Sequence, residues 1–324
     1  MNLGKICAFL LFCFIFRQDK YAHMPTPQHT TAKNWVQRMT RWMSYDLNRI
    51  SIFRAFVNSG SWFFRPPEDI TTIDVMLGHL PIELVVPKEL KLDGVLLYFH
   101  GGGYCLGSLG SHRGLVGKIA IEAGIKVAHI DYRLAPEHPY PAAEEDAVAA
   151  YQWLLQKGMP PEKIIFGGDS AGGGLVISTL NALKAQNLPL PKAAFCLSPW
   201  VDLSFSGKSA VKNAQKDPII PVPKVHYWAL AYAGDLPLEH PGPSPLYADL
   251  SDLPPILIQA SDSEVLTDDA QRLAKKIEEA GGDVTLQIWP GVLHVWQFLW
   301  RRVPESREAI SNIAEFLTKW LKKS

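Results

Sequence analysis

From about residue 82 the chain settles into one repeating construction, a short apolar run followed by a helix-patterned stretch and then another apolar run. The runs are Val95–Phe99, Lys126–Ile130, Ile164–Phe166, Ala193–Leu197, Ile256–Gln259 and Val284–Ile288, and they read as strands covered on both faces. Helical patterns occupy Ala142–Gln156, Ala171–Ala185, Asp268–Ala280 and Glu305–Lys322; in the last, Ile310, Ile313, Ala314, Leu317 and Leu321 make one apolar stripe. Parallel neighbours in a sheet need a crossover, usually a helix, to bring the chain back. The alternation therefore predicts an α/β fold, a mostly parallel central sheet flanked by helices. In such folds chemistry gathers where the strands end.

Two stretches stand outside this rhythm. Asp202 to Pro254 is rich in proline and aromatics, with a helix expected about Pro223–Ala233, and reads as an insertion that covers the site. Upstream, Trp35, Met39, Trp42, Met43, Leu47, Ile50 and Phe53 recur at helical spacing, a face that serves either core packing or a substrate-facing lid. A length of 324 residues suits one large domain with a small accessory part, and no repeat of fixed period interrupts it.

At the N-terminus, Lys5 precedes an apolar run from Ile6 to Phe16, which is too short to span a bilayer. It suits the apolar region of a signal peptide, yet no small-x-small cleavage site follows and Arg17, Asp19 and Lys20 come at once. Two readings stand: a secreted or membrane-tethered protein, with membrane association through residues 5–16, or a cytoplasmic protein whose ordered part begins near Met24. The second is taken as the working expectation. Lys+Arg equals Asp+Glu at 32 each and no basic cluster occurs, which argues against a nucleic-acid partner. Of four cysteines, Cys7 and Cys13 lie in the leader and only Cys105 and Cys196 in the body, so no disulfide framework is expected.

The chemistry concentrates after the third of the apolar runs. Gly167-Gly168-Asp169-Ser170-Ala171-Gly172-Gly173-Gly174 contains G-x-S-x-G with a strand before it and a helix after it. A nucleophile at such an elbow sits on a tight, strained turn, and the flanking glycines are needed because a side chain there would strike neighbouring backbone. A second motif, His100-Gly101-Gly102-Gly103, directly follows Val95–Phe99. A glycine loop of this type turns amide hydrogens toward a bound carbonyl oxygen, and Gly101, Gly102 and the amide of Ala171 are the expected oxyanion-hole donors. His100 is read as a structural residue that fixes the loop. The loop carries neither G-x-x-x-x-G-K nor G-x-G-x-x-G, which argues against a phosphate cradle.

A serine hydroxyl needs a base, and folds with this elbow run in the chain order serine, acid, histidine. Only His226, His240 and His294 follow Ser170; His226 lies in the inserted helix, His240 in a proline-rich loop, and His294 just beyond a strand. His294 is the expected base. The acid is drawn from Asp262, Glu264, Asp268 and Asp269, of which the last two suit the first turn of a helix, where the dipole favours them. Either Asp262 or Glu264 has the chemistry to orient His294.

Together these motifs resemble the bacterial hormone-sensitive-lipase-like family of esterases, over most of the chain from about Leu97 to His294. The resemblance rests also on Asp131-Tyr132-Arg133-Leu134-Ala135-Pro136-Glu137-His138-Pro139, on Pro141-Ala142-Ala143 with Asp146, and on Leu197-Ser198-Pro199-Trp200-Val201-Asp202. It implies an α/β-hydrolase core, residues 66–324, with a helical cap made from residues 24–65 and an insertion at about 203–250. Residues 1–23 would be a leader or extension. It also implies cleavage of small, short- to medium-chain carboxylic esters. That family usually carries its acid in D-P-L-x-D-[ED]; aligning Asp268-Asp269 puts Glu264 at the acid position, a glutamate where aspartate is usual, with Asp262 as runner-up.

The expected reaction is acyl transfer through Ser170, His294 and Glu264, with no metal or organic cofactor. Asp169 and Glu137 are expected to organise the elbow and its neighbouring loops. Rival readings are a small-ligand receptor on the same fold, which would have no use for a base, and an amidase or deacylase. An edge strand near Val284–Ile288 leaves a homodimer open.

Overall fold

The computed structural model describes residues 25–40, 45–59 and 65–322; the apolar leader, Trp42 and Met43, and the side chain of Met39 lie outside that description. One eight-stranded sheet organises it, in the order β1-β2-β4-β3-β5-β6-β7-β8. The strands are β1 (Ile70–Leu77), β2 (Leu80–Pro87), β3 (Val95–Phe99), β4 (Lys126–Ile130), β5 (Ile164–Asp169), β6 (Ala193–Leu197), β7 (Ile256–Ser261) and β8 (Val284–Trp289). All pairings from β4 to β8 are parallel, whereas β1 with β2 and β2 with β4 are antiparallel. The six apolar runs make up the parallel block. Alternate residues of β3 show why they look uniformly apolar: Leu97 and Phe99 enter the core on one face, Leu96 and Tyr98 the core on the other.

The helices are α1 (Pro27–Thr40), α2 (Ile50–Ser59), α3 (Leu109–Ala123), α4 (Ala142–Gln156), α5 (Ala171–Ala185), α6 (Ser209–Lys212), α7 (Val222–Ala233), α8 (Thr267–Glu279) and α9 (Pro304–Leu321). The N-terminal stretch departs from the single helical face expected of it. Asp46 accepts the Asn48 amide at 3.0 Å and caps a new 3-10 turn, Leu47–Arg49, that leads into α2. Ile50 and Phe53 of α2 are buried while Trp35 of α1 is 44% exposed, so the two helices do not share one apolar stripe.

The hairpin β1–β2 and helix α3 have no counterpart among the expected elements. β1 is an edge strand with Ile73 and Met76 more than half exposed, so its side chains lack the pattern of a core strand. Helix α3 is interrupted in sequence by Gly110, Gly114 and Gly117, which blur its periodicity. Gly117 sits under the incoming chain, since a Cβ there would lie 2.9 Å from Ile70 and Pro67. The helix is secured at its ends instead, by a Ser108–Ser111 capping box and by Gly124 at φ 63°.

Candidate active site

Ser170 occupies the single position between β5 and α5, with φ 54° and ψ −120°, a conformation strained for any residue but glycine. Its backbone is clamped there. Ser170 N–H donates to Leu197 O at 2.8 Å, and Ser170 O accepts from Trp200 N at 3.0 Å and Gly174 N at 3.1 Å. The glycines on either side have the reason expected of them: a Cβ on Gly168 would stand 2.3 Å from Gly172 O, and one on Gly172 would stand 2.0 Å from Phe99 O. The elbow therefore packs directly against the end of β3, where the glycine loop begins.

That loop is held from beneath. His100 is fully buried, its Nδ1–H donates to Gly101 O at 2.8 Å, and its ring stacks on Tyr132 at 4.3 Å, whose hydroxyl donates to His100 O at 2.7 Å. Burial pushes the imidazole down to about 3, with His112 adding to the effect, so His100 is neutral and structural. Asp169 serves the same loop: its Oδ1 accepts from Tyr98 Oη at 2.7 Å and from Gly101 N at 3.1 Å. Burial works against its charge, but His112, with a ring nitrogen 3.4 Å from Oδ2, and Tyr98 outweigh it and hold the carboxyl below the usual range. Glu137 likewise acts on loops. It receives Arg54 of α2 at 2.8 Å, and the same guanidinium donates to Cys105 O and Ala135 O.

Of the residues expected to supply oxyanion-hole donors, Gly101 has its amide already bonded to Asp169. The Gly101 amide is engaged, and it is Gly102 and Gly103, at φ 124° and 61°, that line the cavity beside Ser170. Ala171 stands at the first position of α5, where an amide has no partner within its own helix.

His294 and Glu264 meet as expected. His294 Nδ1 lies 2.6 Å from Glu264 Oε2, and both side chains are buried. The other carboxylate oxygen, Oε1, accepts the Ser261 amide at 2.8 Å, which fixes the carboxylate from both sides. Burial disfavours the imidazolium, yet the Glu264 hydrogen bond and charge, with Asp217 and Asp169 behind them, raise the His294 pKa above its ordinary 6.5. Asp262, the runner-up, is exposed and holds the Gly291 amide at 2.7 Å, a loop-bracing role three residues before His294. Asp268 and Asp269 do stand in the first turn of α8, but each also has a partner elsewhere. Asp268 accepts Ser209 N, and the buried Asp269 accepts Val201 N and Asp202 N, each at 3.0 Å.

Two residues of the acid's surroundings were not legible. Asn213 donates to Glu264 O and Asp262 O, both at 2.9 Å, and Asp217 accepts Val265 N at 3.0 Å, so the stretch read as a covering insertion also braces the acid loop. The only signal was Asp217-Pro218, where the aspartate closes a turn on Ile219 N at 2.8 Å.

Ser170, His294, Gly102 and Gly103 open on one cavity of about 280 Å3, in which the Ser170 hydroxyl and the His294 ring face a shared space without a direct hydrogen bond. Such contacts commonly tighten only when substrate is present. The remaining walls are largely apolar, with Tyr45, Leu106, Trp200, Phe205, Ile220, Val225, Trp228 and Phe298. Trp228 joins three parts of the chain: its indole N–H donates to Tyr45 O at 3.0 Å, its ring lies 6.3 Å from that of Phe53, and a Cβ on Gly103 would be 2.7 Å from it.

A family model described as alpha/beta hydrolase fold matches residues 96–298. An acetyl-hydrolase of Streptomyces hygroscopicus is 43% identical over 264 residues, 81% of this chain and 85% of the relative. An ethyl acetate hydrolase of Pseudomonas putida is 31% identical over 264 residues, 78% of this chain and 81% of that protein. The crystal structure of an esterase from the bacterial hormone-sensitive lipase family superimposes with a TM-score of 0.87 at 39% identity, covering 92% of this chain and all of the other. The chain therefore belongs to the hormone-sensitive-lipase-like carboxylesterases of the α/β-hydrolase fold, serine hydrolases that cleave esters.

Proposed function

We propose that this esterase acts on short-chain, uncharged carboxylic esters, with Ser170 as nucleophile, His294 as base and Glu264 as the acid that orients it. The observation that carries the reading is the buried 2.6 Å contact between Glu264 and His294, which lines the same cavity as the strained Ser170 elbow. Ser170 Oγ attacks the ester carbonyl carbon while the free nitrogen of His294 takes its proton. The amides of Gly102, Gly103 and Ala171 receive the developing oxyanion. The carbon–alkoxy bond breaks, His294 hands its proton to the departing alcohol, and the acyl group stays on Ser170. Water then attacks the acyl carbon, again with His294 as base; the acid leaves and the proton returns to Ser170.

We further propose that α1, α2 and the stretch about 203–250 act as a cap. Tyr45, from the connection between α1 and α2, and Phe205, Val225 and Trp228, from the 203–250 stretch, line the cavity onto which Ser170 opens. A space of about 280 Å3 stands at the small end of the roughly 300–1,000 Å3 usual for small-molecule pockets. Its apolar walls suit an acyl chain without charge, and the names of two relatives, acetyl-hydrolase and ethyl acetate hydrolase, point to small acyl groups. A series of p-nitrophenyl esters from acetate to decanoate tests this. kcat/KM is expected to peak among the shorter acyl chains and to fall by at least about tenfold by decanoate, as added methylenes outgrow the pocket. A profile that rises to decanoate would overturn the short-chain assignment.

A further inference from the structure

We propose that His29 is a positioning residue for His294: by accepting the Leu293 amide, its ring fixes the turn that aims the base at Ser170. This inference rests on the reading of His294 as the base.

Helix α1 is mostly exposed, and among its described side chains only His29 is buried in full. A helix that docks on a core ordinarily buries leucine or isoleucine at such a point; here it buries an imidazole. His29 Nε2 lies 3.1 Å from Leu293 N, an amide that donates, so the ring's one proton is on Nδ1. Burial pushes the His29 pKa down, Glu305 opposes and Lys33 assists, which keeps the ring neutral and Nε2 able to accept. Nδ1 is buried and has no hydrogen-bond partner. A leucine would fill the volume without that cost, so what the histidine adds is the acceptor at Nε2.

What it accepts from is part of a pattern. Four backbone groups around the base are held by side chains from three parts of the chain: Gly291 N by Asp262 at 2.7 Å, Val292 O by the Ser261 hydroxyl at 2.6 Å, Leu293 N by His29, and Val295 N by the Ser198 hydroxyl at 3.2 Å. Asp262, Ser261 and Ser198 belong to loops and strand ends of the sheet. His29 alone comes from the N-terminal helix. That helix end is in turn moored to α9, since Thr26 N and Oγ1 both donate to the Glu305 carboxylate, at 2.5 and 3.0 Å. Val295 stands at φ 46°, so the turn is not one the chain adopts unaided.

Glutamine places its carbonyl oxygen where Nε2 lies, whereas asparagine reaches only as far as Nδ1. His29→Gln, His29→Asn and His29→Leu are therefore compared in the full-length protein with p-nitrophenyl acetate, each normalised to its folded fraction by thermal melt. The expected result is a kcat reduced about 5- to 10-fold in the Asn and Leu variants with KM within about twofold, and restored to within about twofold of wild type by Gln. Should the Leu variant not fold, the Gln and Asn pair decides alone. Equal kcat in Asn and wild type, or a Gln variant as slow as Asn, overturns the proposal. A His294→Ala arm separates the two possible failures: normal turnover there removes the base assignment itself, whereas a dead His294→Ala beside an unimpaired His29→Asn removes only the role of His29.

Discussion

Ser170→Ala is expected to lower kcat for p-nitrophenyl acetate by about 10^4-fold or more while leaving the melting temperature close to wild type. The two halves of this expectation have separate causes. Alanine keeps the Cβ, so the strain at φ 54° and the three backbone bonds that hold the elbow are unchanged. Only the nucleophilic oxygen goes. Residual activity would come from the oxyanion donors and from binding alone, which in serine hydrolases of known mechanism leaves a small rate above that of water. A variant that kept even a tenth of wild-type kcat would mean the acyl group is carried elsewhere.

Glu264→Gln should cost about 10^3- to 10^4-fold in kcat, whereas Asp262→Asn should cost less than about threefold. The size of the first effect follows from which way the amide would turn. Glu264 Oε1 accepts the Ser261 amide, so glutamine keeps its carbonyl oxygen there and presents its NH2 to His294 Nδ1. Nδ1 then has to accept, the ring proton moves to the other nitrogen, and that nitrogen loses its capacity to take the serine proton. Asp262 braces Gly291, and asparagine retains an oxygen that does the same. The pH dependence gives a second check. Burial lowers the affinity of the ring for a proton, but Glu264 first, and Asp217 and Asp169 after it, raise it above 6.5. The base has to be neutral to work, so wild-type kcat/KM falls as pH drops through a midpoint above 6.5. In Glu264→Gln the largest raising contribution is gone, and the midpoint of the residual activity moves to lower pH. Kinetics of both variants between about pH 5 and pH 9 decide the matter; a dead Asp262→Asn beside an active Glu264→Gln would reverse the assignment.

The parallel half of the fold was largely legible because β3 to β7 are buried almost throughout, with only β8 at the edge half-open, and every return but α3 carries a readable helical period. β3, β4 and β6 begin and end where the apolar runs do, and α4 and α5 match the periodic stretches. Elements stabilised by other means were not legible. β1 lies on an exposed edge, α3 depends on its caps and a glycine under a crossing chain, and the N-terminal helical pattern breaks at the Asp46 cap.

At the site, residues identified by local spacing, Ser170 and the glycine loop, were accessible to reading, and His294 followed from chain order. Glu264 needed family resemblance, because the chemistry of a carboxylate does not distinguish it from Asp262; burial does, and burial is a tertiary property. Gly101 shows the same limit from the other side. Its amide looks free in any reading of H-G-G-G, yet Asp169, 68 residues further along, already accepts it. His29, Asn213 and Asp217 act over 264, 51 and 48 residues respectively, separations at which no motif in one sequence announces a contact.

The most direct test of the account is covalent capture. Diethyl p-nitrophenyl phosphate offers a phosphorus centre that an activated serine attacks with loss of p-nitrophenol. The predicted result is one diethylphosphoryl group per chain, found by peptide mass mapping on Ser170 and nowhere else, with labelling absent in Ser170→Ala and strongly slowed in His294→Ala. A protein that hydrolyses p-nitrophenyl acetate yet takes no label, or takes it on a residue outside the elbow, would contradict the mechanism.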